Sequence, residues 1–564
     1  MNIFIRKPIS DLLKESEQEG TGNLKKTLSA WSLIALGVGV IIGAGLFSIT
    51  GIAAANYAGP GVTLSFVIAG VGCLFAGLCY AEFASMIPIA GSAYTYSYAT
   101  MGEYIAWIIG WDLVLEYAVG AATVASSWSG YLEQLLSTMG LSFPRKLMMT
   151  PFDSAVLENG EVIHGIMNLP AVFIITLMSL LLIKGTKESS FLNAILVVLK
   201  LGIVLAFIIL GYKYIQPQNH IPFIPQNTGT FGEFGFSGII RAAAVVFFAY
   251  IGFDAVSTAA QETKNPKRAM PIGILGSLII CTLLYIAFAY VMTGLVNYKE
   301  FANDAASSHL APVAIAIQNI GEMGADGHVV PAYPWLNSSI ILAILFGYSS
   351  VILVLLWGQS RVFYSMSKDG LIPKSFSNIH KKFQTPYKSN LFFLLVVSLF
   401  AAFIPGRIVG EMTSIGTLFA FILVCVGVLV MRKKMPDAPR AFRTPLVPLV
   451  PILGILTCFF MMVFLPLDTW IRLVVWMLIG LDVYLFYSII NSVLEENNNT
   501  NKSANKIVAL SALALIVVLF VIAQLHHQIS EEKDFILYYF SLVFAVAHLI
   551  IYSYRYYKYV ITAK

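Results

Sequence analysis

The sequence predicts an all-α polytopic membrane protein, and two features carry that prediction. The 564 residues are 58% hydrophobic and only 12% charged, with a mean hydropathy of +0.79, whereas soluble domains carry about 25% charged residues. The apolar residues also fall in long runs. Each run suits a helix of ~20 residues, the length that crosses a bilayer.

These runs predict fourteen membrane spans, with prolines and glycines at most of the joints. The spans cover about 30–56, 61–88, 101–133, 168–184, 189–213, 236–262, 270–296, 335–365, 388–405, 408–431, 446–466, 469–491, 506–525 and 534–553. The longest outer loop before the second half, about 133–167, is expected to be a solvent-exposed cap.

Basic residues set the expected topology. With the N-terminus inside, 26 of the 35 Lys and Arg fall on the inner side, 8 on the outer side, and Lys200 within a span. This asymmetry follows the positive-inside rule. It predicts a multi-pass protein of the plasma (inner) membrane with a cytoplasmic N-terminal segment 1–29 and a cytoplasmic tail 554–564. The joint Ile89–Thr100 has no basic residue, so an interfacial or re-entrant segment is expected there.

The first predicted span is interrupted at Gly43-Ala44-Gly45, within Ile41-Ile42-Gly43-Ala44-Gly45-Leu46-Phe47. Such small residues let the backbone leave the helix. A broken membrane helix is tolerated only where its freed N–H and C=O groups face protein or a polar cavity. Two interpretations stay open at this point: a small polar substrate satisfies those groups, or the glycines let a neighbouring helix pack closely.

The sixth span is interrupted as well, at Tyr250-Ile251-Gly252. Spans one and six lie five apart, and a repeat of five spans reverses its orientation in the membrane. Corresponding breaks in two halves indicate an inverted-repeat transporter with a midplane site. The two repeats are predicted at 30–213 and 236–431, followed by four additional helices within 446–553.

The ends of the broken helices suggest which ligand they bind. A half-helix that starts near Ala44 presents free N–H groups and a positive dipole end, which suit a carboxylate. A half-helix that ends near Ala249 presents free carbonyls, which suit an ammonium group. One of each suits an amino acid, and side-chain selectivity must then come from other walls.

The chain resembles the amino acid–polyamine–organocation (APC) superfamily, and within it the cationic amino acid transporter branch. The likeness covers about Leu24 to Tyr487. It rests on several separate motifs, which are Ile42-Gly43-Ala44-Gly45-Leu46-Phe47, Phe247-Phe248-Ala249-Tyr250-Ile251-Gly252-Phe253-Asp254, Glu262-Thr263-Lys264-Asn265-Pro266-Lys267-Arg268, the run 361–373, and Phe442-Arg443-Thr444-Pro445-Leu446-Val447-Pro448. The resemblance implies a leucine-transporter-like (LeuT-like) 5+5 inverted repeat.

The resemblance also implies a substrate site built from both breaks. The carboxylate should meet backbone at Ile41, Ala44 and Gly45, with Gly43 between them. Phe248 is expected to act as an outer gate, although an ordinary packing aromatic would look the same. The amino group should meet the carbonyls of Ile42, Phe248, Ala249 and Ile251, which flank Tyr250.

Lys200 is predicted near the middle of span five, where a lysine costs about 2.5–3.5 kcal/mol on insertion scales. The alternative is a lysine that snorkels to an interface. Proton-coupled relatives place a lysine ammonium between spans one, five and eight, and Lys200 matches that position. By this resemblance it would bind span-one carbonyls and a span-eight hydroxyl, Ser349 or Ser350, and would couple transport to protons.

Two intramembrane acids, Glu116 and Asp254, leave the substrate class open. Glu116 can contact a cationic side chain, relay protons or pair with a structural partner. Asp254 complements the dipole at the start of a half-helix. Bulky Ile352 and Leu353 favour a small pocket, so neutral amino acids are as credible as arginine or lysine.

The motifs that would indicate an enzyme, a metal site or nucleotide binding do not occur in the sequence. No cofactor, metal or nucleic acid is expected. The expected partners are an amino acid, the lipid bilayer and a proton as coupling ion. We therefore predict secondary active transport by alternating access, with proton-coupled symport favoured. An exchanger and a non-translocating sensor stay open as alternatives.

Overall fold

The computed structural model describes residues 4–9, 28–43, 45–87, 91–156, 161–184, 187–260, 263–301, 312–323, 329–380, 383, 385–493, 502–529 and 535–561. Within them the chain is a bundle of helices with two small hairpins. The helices of the first half are α1 Ala30–Ile41, α2 Thr50–Ala53, α3 Val62–Met86, α4 Ser92–Thr100, α5 Glu103–Val114, α6 Gly120–Thr138, α7 Leu169–Lys184 and α8 Lys187–Tyr212.

The second half also consists mainly of long apolar helices, and the last of them follow residue 446. Its helices are α9 Gly235–Val246, α10 Ala255–Thr258, α11 Pro266–Leu295, α12 Pro312–Gln318, α13 Pro334–Lys368, α14 Tyr387–Phe403, α15 Gly406–Lys434, α16 Leu449–Val463, α17 Leu467–Val483, α18 Ile489–Asn491, α19 Lys502–Ile529 and α20 Phe535–Tyr556. Short π-helical turns link α1 to α3, α5 to α6, and α17 to α18, and one follows α20.

Four short strands form the two hairpins. Strands β1 Ser154–Val156 and β2 Val162–His164 pair antiparallel in the loop after α6. Strands β3 Gly321–Met323 and β4 Val329–Pro331 pair antiparallel between α12 and α13. The predicted 133–167 cap therefore begins later than expected, because α6 continues to Thr138, and it contains a hairpin.

Among the described residues, ten helical runs are long and apolar enough to cross a membrane, and four further apolar helices are shorter. Their outward faces carry large apolar side chains, such as Val198 and Ile209 on α8, which are 70% and 68% exposed. Apolar residues at such exposure are stable against lipid rather than water. The helical, polytopic character is thus confirmed, whereas the count of fourteen spans and the inverted repeat stay predictions.

Helix packing brings the two broken spans together. The long helix α11 lies against both α1 and α3, and α9 also packs on α3. On the other side, α13 packs on α6 and α8. The joint after α3 forms α4, all of whose residues are buried, so this segment is enclosed by protein as a re-entrant segment would be.

Candidate functional site

The first span breaks directly after α1. The chain leaves the helix at Ile42, whose backbone is extended with φ −72° and ψ 102°. The carbonyl of Gly43 accepts hydrogen bonds from the N–H groups of Leu46 at 3.1 Å and Phe47 at 3.3 Å, which restarts the chain as a π-helical turn at Gly45–Ile49. Ala44, one of the predicted substrate contacts, lies outside the described residues.

The sixth span breaks between α9 and α10. A 3₁₀ turn at Phe247–Tyr250 leads to Ile251, whose backbone is extended, and then to Gly252 at φ +104°. Only glycine adopts this conformation without strain. A Cβ on Gly252 would also lie 2.2 Å from Val40 Cγ1. The residue is therefore required both for the turn and for the close approach of α1.

The two breaks touch backbone to backbone. A Cβ on Gly45 would lie 2.2 Å from the Cα of Ala249 and 2.6 Å from its nitrogen. Between the breaks lies a small cavity with a volume of about 10 Å³, close to the least that holds one water molecule. Its walls are formed by Val40, Ile41, Gly43, Gly45, Val124, Phe248, Ile251, Val351 and Leu355.

Five of these nine lining residues are among the predicted substrate contacts, and four are not. The four additional residues are apolar side chains from α1, α6 and α13, namely Val40, Val124, Val351 and Leu355. The predicted span-eight residue Ile352 is fully buried but lies outside this lining. Helical phase could have identified Val351 and Leu355, because residues four apart share one helix face.

A tyrosine that no sequence motif marks joins the two breaks. The Tyr285 hydroxyl on α11 lies 2.8 Å from the carbonyl oxygen of Ile41 and 2.9 Å from that of Ala249. The resemblance assigns the Ala249 carbonyl to the substrate amino group and places Ile41 on the carboxylate side. In the structure both residues present a carbonyl to the same phenol.

The remaining predicted acceptors are arranged around this contact. The Phe248 carbonyl accepts the N–H of Ile251 at 3.2 Å. Phe248 is 5% exposed and lines the cavity; its role as an outer gate stays a prediction. The Tyr250 hydroxyl donates to the Phe66 carbonyl at 3.0 Å. Ile42 is fully buried at the start of the first break.

Lys200 is buried on α8 and reaches the first span. Its ammonium donates to the Gly39 carbonyl of α1 at 2.7 Å. Its stem packs on α13, since a Cβ on Gly347 would lie 3.0 Å from Lys200 Cε. The Cys281 thiol of α11 interacts electrostatically with this lysine. The snorkelling alternative does not describe this side chain, which is 1% exposed.

The two serines predicted as partners of Lys200 make other contacts. The Ser349 hydroxyl donates to the Leu345 carbonyl at 2.8 Å, one turn back along α13. The Ser350 hydroxyl is buried without a hydrogen-bond partner among the residues that the structure describes. The lysine therefore meets a carbonyl of the first span, and the structure records no bond from it to either hydroxyl.

The intramembrane acids form a cluster whose members are not among the residues that line the cavity. Asp254 accepts hydrogen bonds from the hydroxyls of Tyr117 and, at 3.3 Å, of Ser92. Glu116 is fully buried next to Asp254. The Glu116 carboxyl lies within hydrogen-bonding reach of Asp254, whereas neither carboxyl oxygen of Asp112, one turn earlier, has a hydrogen-bond partner among the described residues. Two neighbouring carboxyls are stable in such surroundings when they share a proton.

A small cavity thus lies between two facing helix breaks in this helical membrane protein, and comparison with known proteins gives its family. A family profile described as amino acid permease matches residues 28–469. The chain belongs to this family of the APC superfamily, whose members are transporters and not enzymes, and it is a multi-pass membrane protein.

Several characterised proteins align with most of the chain. It is 43% identical to the branched-chain amino acid permease BcaP of Bacillus subtilis (strain 168), over 86% of this chain and 98% of that protein. It is 40% identical to the methylthioribose transporter of the same organism, over 88% of this chain and 100% of that protein. With cationic amino acid transporter 1 of Arabidopsis thaliana the identity is 33%, over 76% and 66% of the two chains.

Proposed function

We propose that the protein is a secondary active transporter that moves amino acids with apolar side chains by alternating access. The observation that carries this proposal is the cavity between the two helix breaks. Backbone groups of both breaks supply its polar part, and Val40, Val124, Val351 and Leu355 supply the rest. None of the nine lining residues is charged, so a neutral apolar side chain suits the walls best.

The walls favour a neutral substrate over a cationic one. A guanidinium or ammonium side chain placed among aliphatic groups would lose its hydration without gaining a counter-charge. The intramembrane acids Glu116 and Asp254 are not part of the cavity lining, so neither supplies that counter-charge. The similarity to a branched-chain amino acid permease supports the same choice.

The cavity volume supports alternating access. Pockets that bind small molecules measure about 300–1,000 Å³, far more than the 10 Å³ between the breaks. An amino acid enters only after the walls move apart, and Phe248 is the wall residue that the resemblance assigns to an outer gate. Opening to one side at a time would follow the two five-helix repeats, 30–213 and 236–431.

Proton coupling is proposed through Lys200. Its ammonium donates to the Gly39 carbonyl on α1, its carbon stem packs against Gly347 on α13, and the Cys281 thiol on α11 is an electrostatic neighbour. The charged lysine holds the carbonyl end of α1, where the helix dipole is negative. Loss of its proton would weaken that contact and release α1 beside the first break. Glu116 with Asp254 is a second place where a proton can reside.

The proposed topology has fourteen spans with four additional helices in 446–553 and both termini cytoplasmic, in the plasma membrane. The basic residues support it through their inner-side excess. Single-cysteine labelling from either side of sealed vesicles tests it. The five native cysteines are buried, which permits this approach.

Uptake into proteoliposomes tests the function. Labelled leucine should accumulate under an inward proton gradient and lose that accumulation when a protonophore is added. Uptake that requires internal amino acid would instead indicate an exchanger, and binding without uptake would indicate a sensor. Arginine and methylthioribose are the competing substrates to include. Transport of arginine in preference to leucine would contradict the apolar substrate class.

A further inference from the structure

Tyr285 lies where the two helix breaks meet, although it belongs to neither of them. Its side chain is fully buried on α11. Its hydroxyl contacts the carbonyl oxygens of Ile41 and Ala249, at 2.8 and 2.9 Å. Ile41 is the last residue of α1, and Ala249 lies in the 3₁₀ turn that extends α9. One phenol therefore connects the carbonyl ends of the two half-helices.

The chemistry of this contact leaves room for a ligand. A phenol has one O–H proton, so it binds the two carbonyls through a shared, three-centre hydrogen bond. Each carbonyl oxygen has two lone pairs and keeps acceptor capacity beyond the phenol. The C-terminal ends of both half-helices also carry partial negative charge. The phenol thus fixes the separation of two oxygens whose combined field favours a cation.

The ring of Tyr285 is held in place by two aromatic neighbours. Its centroid lies 5.3 Å from that of Phe66 and 5.4 Å from that of Tyr250. The Tyr250 hydroxyl is anchored on the Phe66 carbonyl at 3.0 Å, which closes this aromatic group. The three rings belong to three different helical segments. Their packing against each other therefore fixes the position of the Tyr285 hydroxyl.

We infer that Tyr285 is a positioning residue for the α-amino group of the substrate. It holds the Ile41 and Ala249 carbonyls at a fixed spacing, so that an ammonium group can bind them when the cavity opens. This inference rests on the proposed function, since it requires an amino acid in the cavity. It also gives a reason why α11, which carries no break, packs on α1: the helix delivers the phenol to both breaks.

The inference predicts a specific loss of amino-group recognition in Tyr285→Phe. That variant keeps the ring and removes only the hydroxyl. Hydrogen bonds to a charged group are stronger than those between neutral groups, and misplaced carbonyls lose part of that strength. The KM for leucine should rise about tenfold, while Vmax changes less. The inhibition constant of 4-methylpentanoate, which is leucine without its amino group, should change less than twofold.

The measurement is inhibition of labelled leucine uptake into proteoliposomes, with apparent melting temperatures recorded for each protein. Tyr552→Phe is the matched control. It removes another buried tyrosine hydroxyl, which donates to Asp482 at 2.8 Å on the additional helices. Phe66→Leu is a second test variant that keeps the Tyr285 hydroxyl but loosens its ring. It should reduce the preference for leucine over 4-methylpentanoate by about threefold.

The outcomes separate this inference from the proposed function. Wild-type protein that binds leucine no better than 4-methylpentanoate would overturn both. Wild-type protein that prefers leucine, together with a Tyr285→Phe variant of unchanged preference, would overturn only the role of Tyr285. An equal loss of affinity for both compounds in Tyr285→Phe would also overturn the role of Tyr285, because the phenol would then only support the structure.

Discussion

The close approach of the two helix breaks at Gly45 predicts a large effect for Gly45→Ala. A methyl group at position 45 would lie 2.2 Å from the Cα of Ala249 and 2.5 Å from its Cβ. Both atoms are part of or attached to backbone that is already held by the 3₁₀ turn at Phe247–Tyr250. No side-chain rotation can relieve the overlap, so the two breaks must separate.

The magnitude follows from the cost of overpacking. Inserting a methyl into a well-packed interior costs about 1–3 kcal/mol, and each 1.4 kcal/mol is tenfold in an equilibrium. The closed conformation should therefore lose population by about 5- to 150-fold. If transport passes through this closed conformation, the initial rate of leucine uptake falls by a similar factor.

Two further glycines give a graded series for the same assay. The nearest atoms to a Cβ on Gly43 belong to the Val351 side chain, at 3.1 Å and beyond, so Gly43→Ala should reduce uptake less. A Cβ on Gly202 of α8 would meet nothing within 4 Å, so Gly202→Ala should transport normally. Wild-type uptake and melting temperature in Gly45→Ala would refute the reasoning, since the breaks would then not need to touch.

Three other predictions concern coupling, selectivity and a surface loop. Lys200→Met should abolish accumulation driven by a pH gradient while leaving leucine exchange measurable, and Lys213→Met, at an exposed position just after α8, should not. Val351→Ala should raise the preference for phenylalanine over leucine about tenfold, since one methylene in a pocket is worth about 1–3 kcal/mol; Val204→Ala, buried away from the cavity, should not change this ratio. Burial against α11 lowers the pKa of His220 below its ordinary value of 6.5. The unfolded chain then takes up a proton first as pH falls, so the melting temperature should decrease below about pH 6.5 and decrease less in His220→Gln.

Much of the site could be predicted because glycine leaves a strong signal. Gly43 and Gly45 in the first span, and Gly252 in the sixth, mark the two breaks in apolar runs that would otherwise be continuous helices. Gly252 occupies a positive φ and Gly45 touches backbone, so no other residue fits either position. The first break begins at Ile42, slightly before the glycines, because the extended backbone there already ends α1.

The residues that the sequence does not reveal depend on contacts between distant parts of the chain. Tyr285 looks like any of 27 tyrosines in the sequence, and its partner Ile41 is 244 residues away. The sequence suggests Ile352 for the cavity wall, whereas Val351 and Leu355 form it. Neighbouring residues on a helix point about 100° apart. An error of one residue therefore replaces a side chain that lines the cavity with one that does not.

The two hairpins carry a local signal that the hydropathy pattern conceals. In the sequence, Asn159-Gly160 falls between β1 and β2 and Asp326-Gly327 falls between β3 and β4, although both dipeptides are outside the described residues. Both dipeptides are typical of hairpin connections. The strands themselves have three residues each and are too short to show alternation.

In the proposed function, the backbone and the side chains of the cavity have separate roles. The backbone carbonyls, which we infer Tyr285 to position, can recognise only what all amino acids share. The discriminating groups are then Val40 on α1, Val124 on α6, and Val351 and Leu355 on α13. Because these four come from three helices, the pocket changes shape whenever α1 moves relative to α6 and α13.

Lys200 contacts α1 at Gly39 and packs on α13 at Gly347. A change at this lysine therefore acts on the same pair of helices that forms the walls, which links the proposed proton site to substrate affinity without a direct contact between them.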